Sequence, residues 1–424
     1  MNQDKGVFIY QKEQIQPIGS SLYQEHLKLT THIADFAGYL MPLWYSSISA
    51  EHRAVRESAG LFDCTHMGVL GIAGPEAAGF LNTVCTNDVS TISTGRAQYS
   101  YILDAAGNVL DDIIIYRIEE ERFMVVVNAA NEEKIKAYLN GLIKNEVVLD
   151  VNHPDRKLEH KPEIRDMKDL NNEDCRVDIA LQGPASLNVL NGIIIDKKVF
   201  ETVSNLKPFR LVQTEVQDVD CIISRTGYTG SSIGFELFVR PQKAAQLWNL
   251  LLEKGGRYGL VPCGLGARDS LRIEAGLPLY GHELAGPFVI SPFEAGYGWA
   301  VKLDKDFFVG KAPMKRKSQT YDMEVIRIEL PGAKGIRPVR QNDGVLDNKG
   351  VCIGWVLSSA TIEAKQIALV YVQRGSVEED TNVGIYYLAR SQRQVQEGKK
   401  KNIKKGENAD ADITGKGVSR FEKF

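Results

Sequence analysis

Two adjacent carboxylates, Asp111-Asp112, interrupt a run of β-branched and aromatic residues from Val109 to Arg117. Side chains alternate across a strand, so Asp112 is expected to share a face with Leu110, Ile114 and Tyr116, and Asp111 with Val109, Ile113 and Ile115. Both faces are apolar. A carboxylate set there loses hydration and has to be paired, protonated or put to chemical use, for instance in proton transfer. The plain alternative is a pair at the strand's entrance, beside the Gly107-Asn108 turn, facing water.

Three further constellations could carry chemistry. In Ser224-Arg-Thr-Gly-Tyr-Thr-Gly-Ser-Ser-Ile-Gly-Phe-Glu236, glycines alternate with Tyr228 and hydroxyls, so backbone and a ring could approach a flat ligand. It is neither a phosphate loop, lacking Gly-Lys-Ser/Thr, nor a dinucleotide fingerprint, because it leads into a strand. A hairpin turn is the plain alternative. In Gly264-Leu-Gly-Ala-Arg-Asp-Ser-Leu-Arg-Ile-Glu-Ala275, Arg268 and Arg272 are four apart on an expected helix and can face one way, where a guanidinium fork suits a carboxylate. Internal ion pairing with Asp269 or Glu274 is the competing reading. Cys64 and His66, two apart, would share one face of a strand and invite a thiol nucleophile, but no third orienting group stands near them.

The elements that must position these groups follow from pattern. A short helix is expected from Ala50 to Gly60, a strand from Met67 to Ile72, and a helix from Glu76 to Val84 opened by Gly74-Pro75. Tyr99–Leu103, Val109–Arg117 and Arg122–Val127 read as a three-strand meander, and Asn131–Lys144 as a helix with Ile135, Tyr138, Leu139 and Leu142 on one side. The charged stretch from His153 to Asp174 reads as a linker or surface insertion. Val177–Leu181 followed by Gly183-Pro184 repeats the strand, Gly-Pro, helix order. A strand at Glu236–Val239 and a helix at Lys243–Lys254 follow, then short strands from about Val301. Gln394–Lys405 is lysine-rich and reads as a solvated loop or tail.

At 424 residues the chain exceeds one ordinary core, and two or three domains are expected. The divisions drawn are an N-terminal extension over 1–20, a body over 21–300 with an inserted polar segment near 155–174, and a β-rich domain over 301–424 with a polar segment at 394–417. With 51 Lys+Arg against 54 Asp+Glu, the net charge of -3 offers no field for a polyanion, so nucleic acid is not expected as a partner. No stretch approaches the roughly 20 apolar residues of a membrane span, and the N-terminus lacks the pattern of a signal, which points to a cytoplasmic protein. The six cysteines lie far apart without a CxxC pair; reduced thiols and no metal site are expected.

The strings Asp35-Phe-Ala-Gly-Tyr-Leu-Met-Pro-Leu43, Glu51-His-Arg-Ala-Val-Arg56, Gly60-Leu-Phe-Asp-Cys-Thr-His-Met-Gly68, Thr86-Asn-Asp88, Gly107-Asn-Val-Leu-Asp-Asp112, Val126-Val-Asn-Ala-Ala130, Ser224-Arg-Thr-Gly-Tyr-Thr-Gly230 and Gly264-Leu-Gly-Ala-Arg-Asp269 resemble, in order, the signatures of glycine cleavage system T-proteins, the aminomethyltransferases. The resemblance covers about Leu22 to Lys311 and, more loosely, the C-terminal region. It implies an α+β fold of three domains around a central folate cavity, with a C-terminal β-barrel-like domain. The implied reaction passes an aminomethyl group from the lipoyl arm of the H-protein to tetrahydrofolate, giving methylenetetrahydrofolate, ammonia and the reduced carrier. Carried over residue by residue, Asp112 matches the catalytic aspartate beside the pterin, where it can manage protons and stabilise developing positive charge. Tyr99 and Asn128 match positions lining the pterin pocket, and Glu236 the acid on the pterin's amino edge. Tyr228 matches the ring near the aminobenzoyl portion, and Arg268 the partner of the anionic tail.

Three features depart from the family pattern. The turn Gly230-Ser-Ser-Ile-Gly234 is one residue longer, which bears on where Glu236 falls. The segment from about Asp155 to Asp174 looks inserted. An aromatic residue that the family returns to the folate site near its C-terminus has Phe421 and Phe424 as candidates beyond Lys399–Gly417. Two other functions compete: a superfamily demethylase or methyltransferase taking a methyl group from a small S-, O- or N-methyl donor, and a folate-binding scaffold of the branch tied to iron–sulfur maintenance. The latter carries a Lys-Gly-Cys motif, whereas the comparable stretch here, Phe308-Val-Gly-Lys-Ala312, has no cysteine.

Overall fold

The structure is a computed structural model that describes residues 8–11, 16–422 and 424. Residues 1–7 and 12–15 of the expected N-terminal extension lie outside the described residues. The chain divides into two compact units: Met1–Gly227 with Ser231–Ala267 and Trp299–Arg316, and Tyr228–Gly230 with Arg268–Gly298 and Lys317–Phe424. No described helix is long and apolar enough to cross a membrane.

In the first unit the expected meander forms the heart of a five-stranded antiparallel sheet, ordered Arg96–Leu103, Val109–Glu119, Arg122–Val127, Gly68–Ala73, Glu163–Asp166. Helices Ala77–Val84 and Glu132–Ile143 cover one face, where Phe80, Leu81, Ile135, Tyr138 and Leu142 are buried with Ile113, Ile115 and Val125. At about 1.5–3 kcal/mol for each large apolar side chain removed from water, this packing fixes the strand that carries the carboxylates. The other face puts Tyr116 and Met124 in a cluster with Ile222 and Phe238 of a second sheet, with the Tyr116 and Phe238 rings edge to face at 5.2 Å.

That second sheet has six strands in the order Leu211–Val216, Val219–Ser224, Gly234–Val239, Val177–Gln182, Ala59–Asp63, Leu260–Cys263, antiparallel except for its last pair. Helices Ser186–Ile193 and Pro241–Gly255 close it, burying Val189, Leu190, Leu247, Trp248 and Leu251. The strand, Gly-Pro, helix unit does occur twice. Gly74 and Gly183 take φ of 102° and 124°, a region closed to most side chains, and so turn strand into helix.

The second unit contains a closed barrel of six antiparallel strands, ordered Met323–Pro331, Lys365–Gln373, Cys352–Ile362, Gly344–Leu346, Asn382–Tyr386, Ile413–Val418. The expected α+β class with a C-terminal barrel is therefore observed.

Three local expectations are corrected. The helix near residue 50 runs Ile48–Glu57, and Gly60 lies within a strand, where a Cβ would fall 2.5 Å from Val55 and 2.7 Å from Cys263. The stretch 153–174 is no mere linker, because Glu163–Asp166 pairs with Gly68–Ala73 as an edge strand and the Lys168 ammonium donates to the His66 carbonyl at 3.1 Å. Gln394–Lys405 is mostly exposed, as a solvated loop would be, but it is not loose from the barrel: it begins in helix Gln392–Gln396, buries Ile403 against Leu346 and Tyr386, and accepts the Trp355 indole N–H on the Ile403 carbonyl at 2.9 Å.

Candidate active site

The two carboxylates sit near the start of strand Val109–Glu119, and a bulge decides how they point. Pairing with the neighbouring strand passes from Ile102 opposite Asp111 to Leu103 opposite Val109, leaving Leu110 as the extra residue. Leu110 consequently packs with the Ile113 and Ile115 core rather than on the side of Asp112, where alternation had put it. Beyond the bulge alternation holds. Asp111 is fully buried on the core side, while Asp112 is only partly buried on the opposite side.

One residue ties the pair together. Asn128 follows the last residue of strand Arg122–Val127, and its Nδ2 donates to Asp111 Oδ1 and Asp112 Oδ1, both at 2.9 Å, and to the Asp112 carbonyl at 3.2 Å. Its backbone N–H donates to Asp111 Oδ2 at 2.9 Å, and Asn131 Nδ2 donates to Asp111 Oδ1. Asp112 is held on its other side by the Tyr99 hydroxyl, which donates to Oδ2 at 2.9 Å. Tyr101 is the residue opposite Asp112, so Tyr99 reaches it diagonally across the strand pair.

Burial drives both carboxyls above the ordinary carboxylate range. For Asp111 the neighbouring Asp112 adds to burial, and the Asn128 and Asn131 donors offset only part of it. For Asp112, burial outweighs the hydrogen bonds from Tyr99 and Asn128. Two such coupled groups share their protons, so they titrate as a pair and not singly.

The Tyr99 ring lies against Trp299, with centroids 5.9 Å apart. Trp299 was not singled out in the sequence; at 54% exposure it is a large apolar surface beside a partly buried acid, which only the folded chain brings together.

Glu236 stands in regular register in the second sheet, opposite Ala180 on one side and Ser224 on the other. Its Oε2 accepts from the Tyr116 hydroxyl at 2.8 Å and from Thr226 Oγ1. The glycines of the preceding turn have a concrete task. Gln182 Nε2 donates to the carbonyls of Thr226 and Phe235, both at 3.2 Å, and a Cβ on Gly227 or Gly234 would fall 2.0 or 2.4 Å from Gln182 Oε1. Tyr116, Thr226 and Gln182 thus support Glu236 and its loop; the sequence placed Tyr116 on the face of Asp112 and Thr226 among the loop's hydroxyls, but it tied neither to Glu236 and gave no sign of Gln182.

Tyr228 and Arg268 belong to the second unit. The Arg268 guanidinium lies over the Tyr228 ring at 5.1 Å, and the Tyr228 hydroxyl donates to the Pro278 carbonyl. Arg268 and Arg272, four apart on helix Leu265–Ala275, have separate fates. Arg272 is buried and pairs with Asp269 at 2.9 Å and Glu283 at 2.6 Å, so the ion-pair reading describes Arg272, with Glu283 in place of Glu274. Of the two C-terminal aromatics, Phe424 donates its backbone N–H to the Gly230 carbonyl at 3.1 Å, and Phe421 packs edge to face on Tyr297 at 5.2 Å.

Cys64 and His66 do not share a strand face. Strand Ala59–Asp63 ends before them and the chain turns at Thr65-His66; both side chains are buried, with the His66 ring edge to face on Phe36 at 5.5 Å.

The family model for the GCVT N-terminal domain matches residues 22–305, a span that holds Tyr99, Asp111, Asp112, Asn128, Tyr228, Glu236 and Arg268. An aminomethyltransferase from Exiguobacterium sibiricum is 40% identical over 356 residues, covering 83% of this chain and 89% of that protein. One from Symbiobacterium thermophilum is 38% identical over 377 residues, covering 87% and 93%. The crystal structure of glycine cleavage system aminomethyltransferase T from Bartonella henselae matches with a TM-score of 0.74 at 28% identity, covering 95% of this chain and 97% of that one. Matched in sequence across both sheets and in structure along nearly its whole length, the chain belongs to the GCVT aminomethyltransferase family.

Proposed function

We propose that this protein is the aminomethyltransferase of a glycine cleavage system, transferring the one-carbon unit of an aminomethyl-lipoyl H-protein to tetrahydrofolate with release of ammonia. The observation that carries the reading is the partly buried Asp112, held between the Tyr99 hydroxyl and the Asn128 amide, in a chain whose relatives bear that activity as their name. In the transfer, the carbon's bonds to sulfur and nitrogen break and two bonds to folate nitrogens form. The two protons leaving those nitrogens end on ammonia and on the carrier thiol. A carboxylate whose proton affinity is raised by burial can accept one and return it, and its charge steadies the cationic carbon in between.

The remaining roles belong to the same proposal. Asn128 and Tyr99 line the pterin, Glu236 accepts from its amino edge, Tyr228 meets the aminobenzoyl ring, and Arg268 pairs with the anionic tail. Support for them is chemical: Glu236 is a partly buried acceptor on a rigid strand, and Arg268 is a forked cation beside an aromatic ring. The reading also takes residues 21–300 as the folate-binding region and 301–424 as a separate β-rich domain. A cytoplasmic setting is supported by six buried thiols, none in a disulfide. The methyl-donor alternative is not favoured by the relatives.

The test is to supply purified protein with tetrahydrofolate and H-protein carrying an aminomethyl-lipoyl group and to measure ammonia. Release dependent on both substrates is expected. Absence of release, together with demethylation of a small methyl donor, would overturn the proposal.

A further inference from the structure

Thr86-Asn-Asp88, one of the strings that the sequence sets apart, takes no part in the transfer. Its neighbours give it a task. Strand Arg96–Leu103 is the outermost of its sheet, and the bulge at Leu110 interrupts its ladder beside the carboxyls. The outward backbone groups of Tyr99 and Tyr101 are met by a loop instead of a further strand. Asn87 Nδ2 donates to the Tyr99 carbonyl at 2.9 Å, the Thr86 N–H to the Tyr101 carbonyl at 3.0 Å, and the Tyr101 N–H to Thr86 Oγ1 at 3.2 Å. Thr86 Oγ1 also donates to the Ala300 carbonyl at 2.9 Å, which anchors the residue after Trp299, whose ring lies against Tyr99.

Behind this loop stands Lys305. Its ammonium donates to the carbonyls of Asn82 at 2.6 Å, Cys85 at 2.8 Å and Asn87 at 2.9 Å, so backbone takes all three of its N–H bonds. Asn82 lies in the last turn of helix Ala77–Val84, where carbonyls have no intrahelical partner and the dipole favours a cation. The carbonyls of Cys85 and Asn87 bracket Thr86. One charge thus ties the helix end to the loop that holds Tyr99.

Resting on the transfer reading above, we infer that Lys305 is a positioning residue: through Asn87 and Thr86 it sets the strand segment that aims the Tyr99 hydroxyl at Asp112. The consequence has a sign. A hydroxyl that donates to Asp112 Oδ2 favours the ionised carboxyl, so a displaced Tyr99 leaves Asp112 holding its proton to higher pH. The other charged groups there are Asp111, beside Asp112, and Lys134 of the following helix, which acts on Asp111. Lys305 itself faces Cys85, Asp88, Asp304 and Lys311, and its route to Asp112 is the chain of bonds through the loop.

The test reads the acid limb of kcat/KM for ammonia release by the full-length protein, supplied with tetrahydrofolate and aminomethyl-lipoyl H-protein. Tyr99→Phe removes the donor itself and is expected to move the limb up by about one pH unit. Lys305→Met keeps an unbranched side chain without the N–H bonds, and should move the limb the same way by about half a unit. In the double variant the limb should stand where Tyr99→Phe alone puts it, because the hydroxyl through which Lys305 acts is gone. A merely structural role lowers the Tm and leaves the limb in place, and the field of a lost charge shifts the limb equally with or without the hydroxyl. Either result, or a limb unmoved by Tyr99→Phe, would overturn the inference. Should Lys305→Met fail to fold in a thermal melt, Asn87→Ala carries the test, with the same shift and the same dependence on Tyr99 expected. Native protein that releases no ammonia would instead overturn the functional reading on which the inference rests.

Discussion

Asn128 Nδ2 stands 2.9 Å from Asp111 Oδ1 and 2.9 Å from Asp112 Oδ1, so a single amide nitrogen bridges two carboxyl groups that would otherwise repel. The bridge makes the juxtaposition tolerable without making it neutral. Burial raises the proton affinity of both groups, and the charge of Asp112 raises that of Asp111 further. If Asp112 must be ionised to take a proton, the rate has to fall as pH drops through its raised pKa. The acid limb of kcat/KM against pH is therefore expected above the ordinary Asp range of about 4. A limb at or below that value would show that Asp112 titrates as a solvated carboxyl and does not set the rate.

Replacing Asp112 by Asn preserves shape and the contacts with Tyr99 and Asn128 in outline, but removes the proton acceptor. Ammonia release should fall by about 10²- to 10⁴-fold, the usual worth of a positioned acid or base, while tetrahydrofolate still binds. Normal turnover by the variant would remove Asp112 from the chemistry.

The meander and the helix after it were legible because alternating and helical periodicities are strong along Tyr99–Leu142, whereas the burial of Asp111 stayed open, since a pair at the strand's entrance could equally have faced water. The bulge was not, since Leu110 differs in no visible way from a regular strand residue; only its pairing partner across the sheet reveals the shift. The parts that Tyr116, Thr226 and Gln182 play beside Glu236 were missed for a related reason: each meets the Glu236 loop through contacts spanning 10 to 120 positions, which local pattern does not encode. The solvation of the lysine-rich stretch was legible in its composition, but its anchor was not, because one residue, Ile403, is enough to seat it on the barrel.

Arg268 lies over Tyr228 and is partly exposed, whereas Arg272 is buried against Glu283, so of the two guanidinium groups Arg268 is the one an incoming carboxylate can reach. Arg268→Ala should weaken tetrahydrofolate binding by roughly 1.5–3 kcal/mol, read by titration calorimetry, with little change in kcat at saturation. An unchanged affinity would exclude the tail contact. Arg268→Lys should recover only part of the loss, because an ammonium cannot make the two parallel bonds of the fork.

Gly227 is a steric requirement of the Glu236 loop. Its Cβ, if present, would fall 2.0 Å from Gln182 Oε1 and 2.6 Å from its Nε2, and would push Gln182 off the carbonyls it satisfies. Leaving those buried groups unpaired should cost about 1–3 kcal/mol, so Gly227→Ala is expected to lower the Tm measurably. Gln182→Ala in the same background tests the cause: with the obstructing side chain gone, the second substitution should cost less than the sum of the two.

Asp63 contributes to acid stability. It is buried, and burial alone would raise its pKa, but the His26 ring at 2.7 Å, the charge of His66 and the Ser20 hydroxyl at 2.6 Å outweigh that and hold it down to about 2. The Tyr45 hydroxyl, 2.8 Å from His26 Nδ1, fixes the ring from its far side. A carboxyl with a lowered folded-state pKa adds stability above its unfolded value near 3.9 and loses it as pH falls through its folded value. Asp63 should therefore contribute about 2 kcal/mol at neutral pH that disappears between about pH 4 and pH 2. Urea unfolding across that range should show the loss in the native protein, and Asp63→Asn should start lower at pH 7 and decline less steeply. Parallel pH curves for the two proteins would mean that the His26–Asp63 contact contributes no charge-dependent stability.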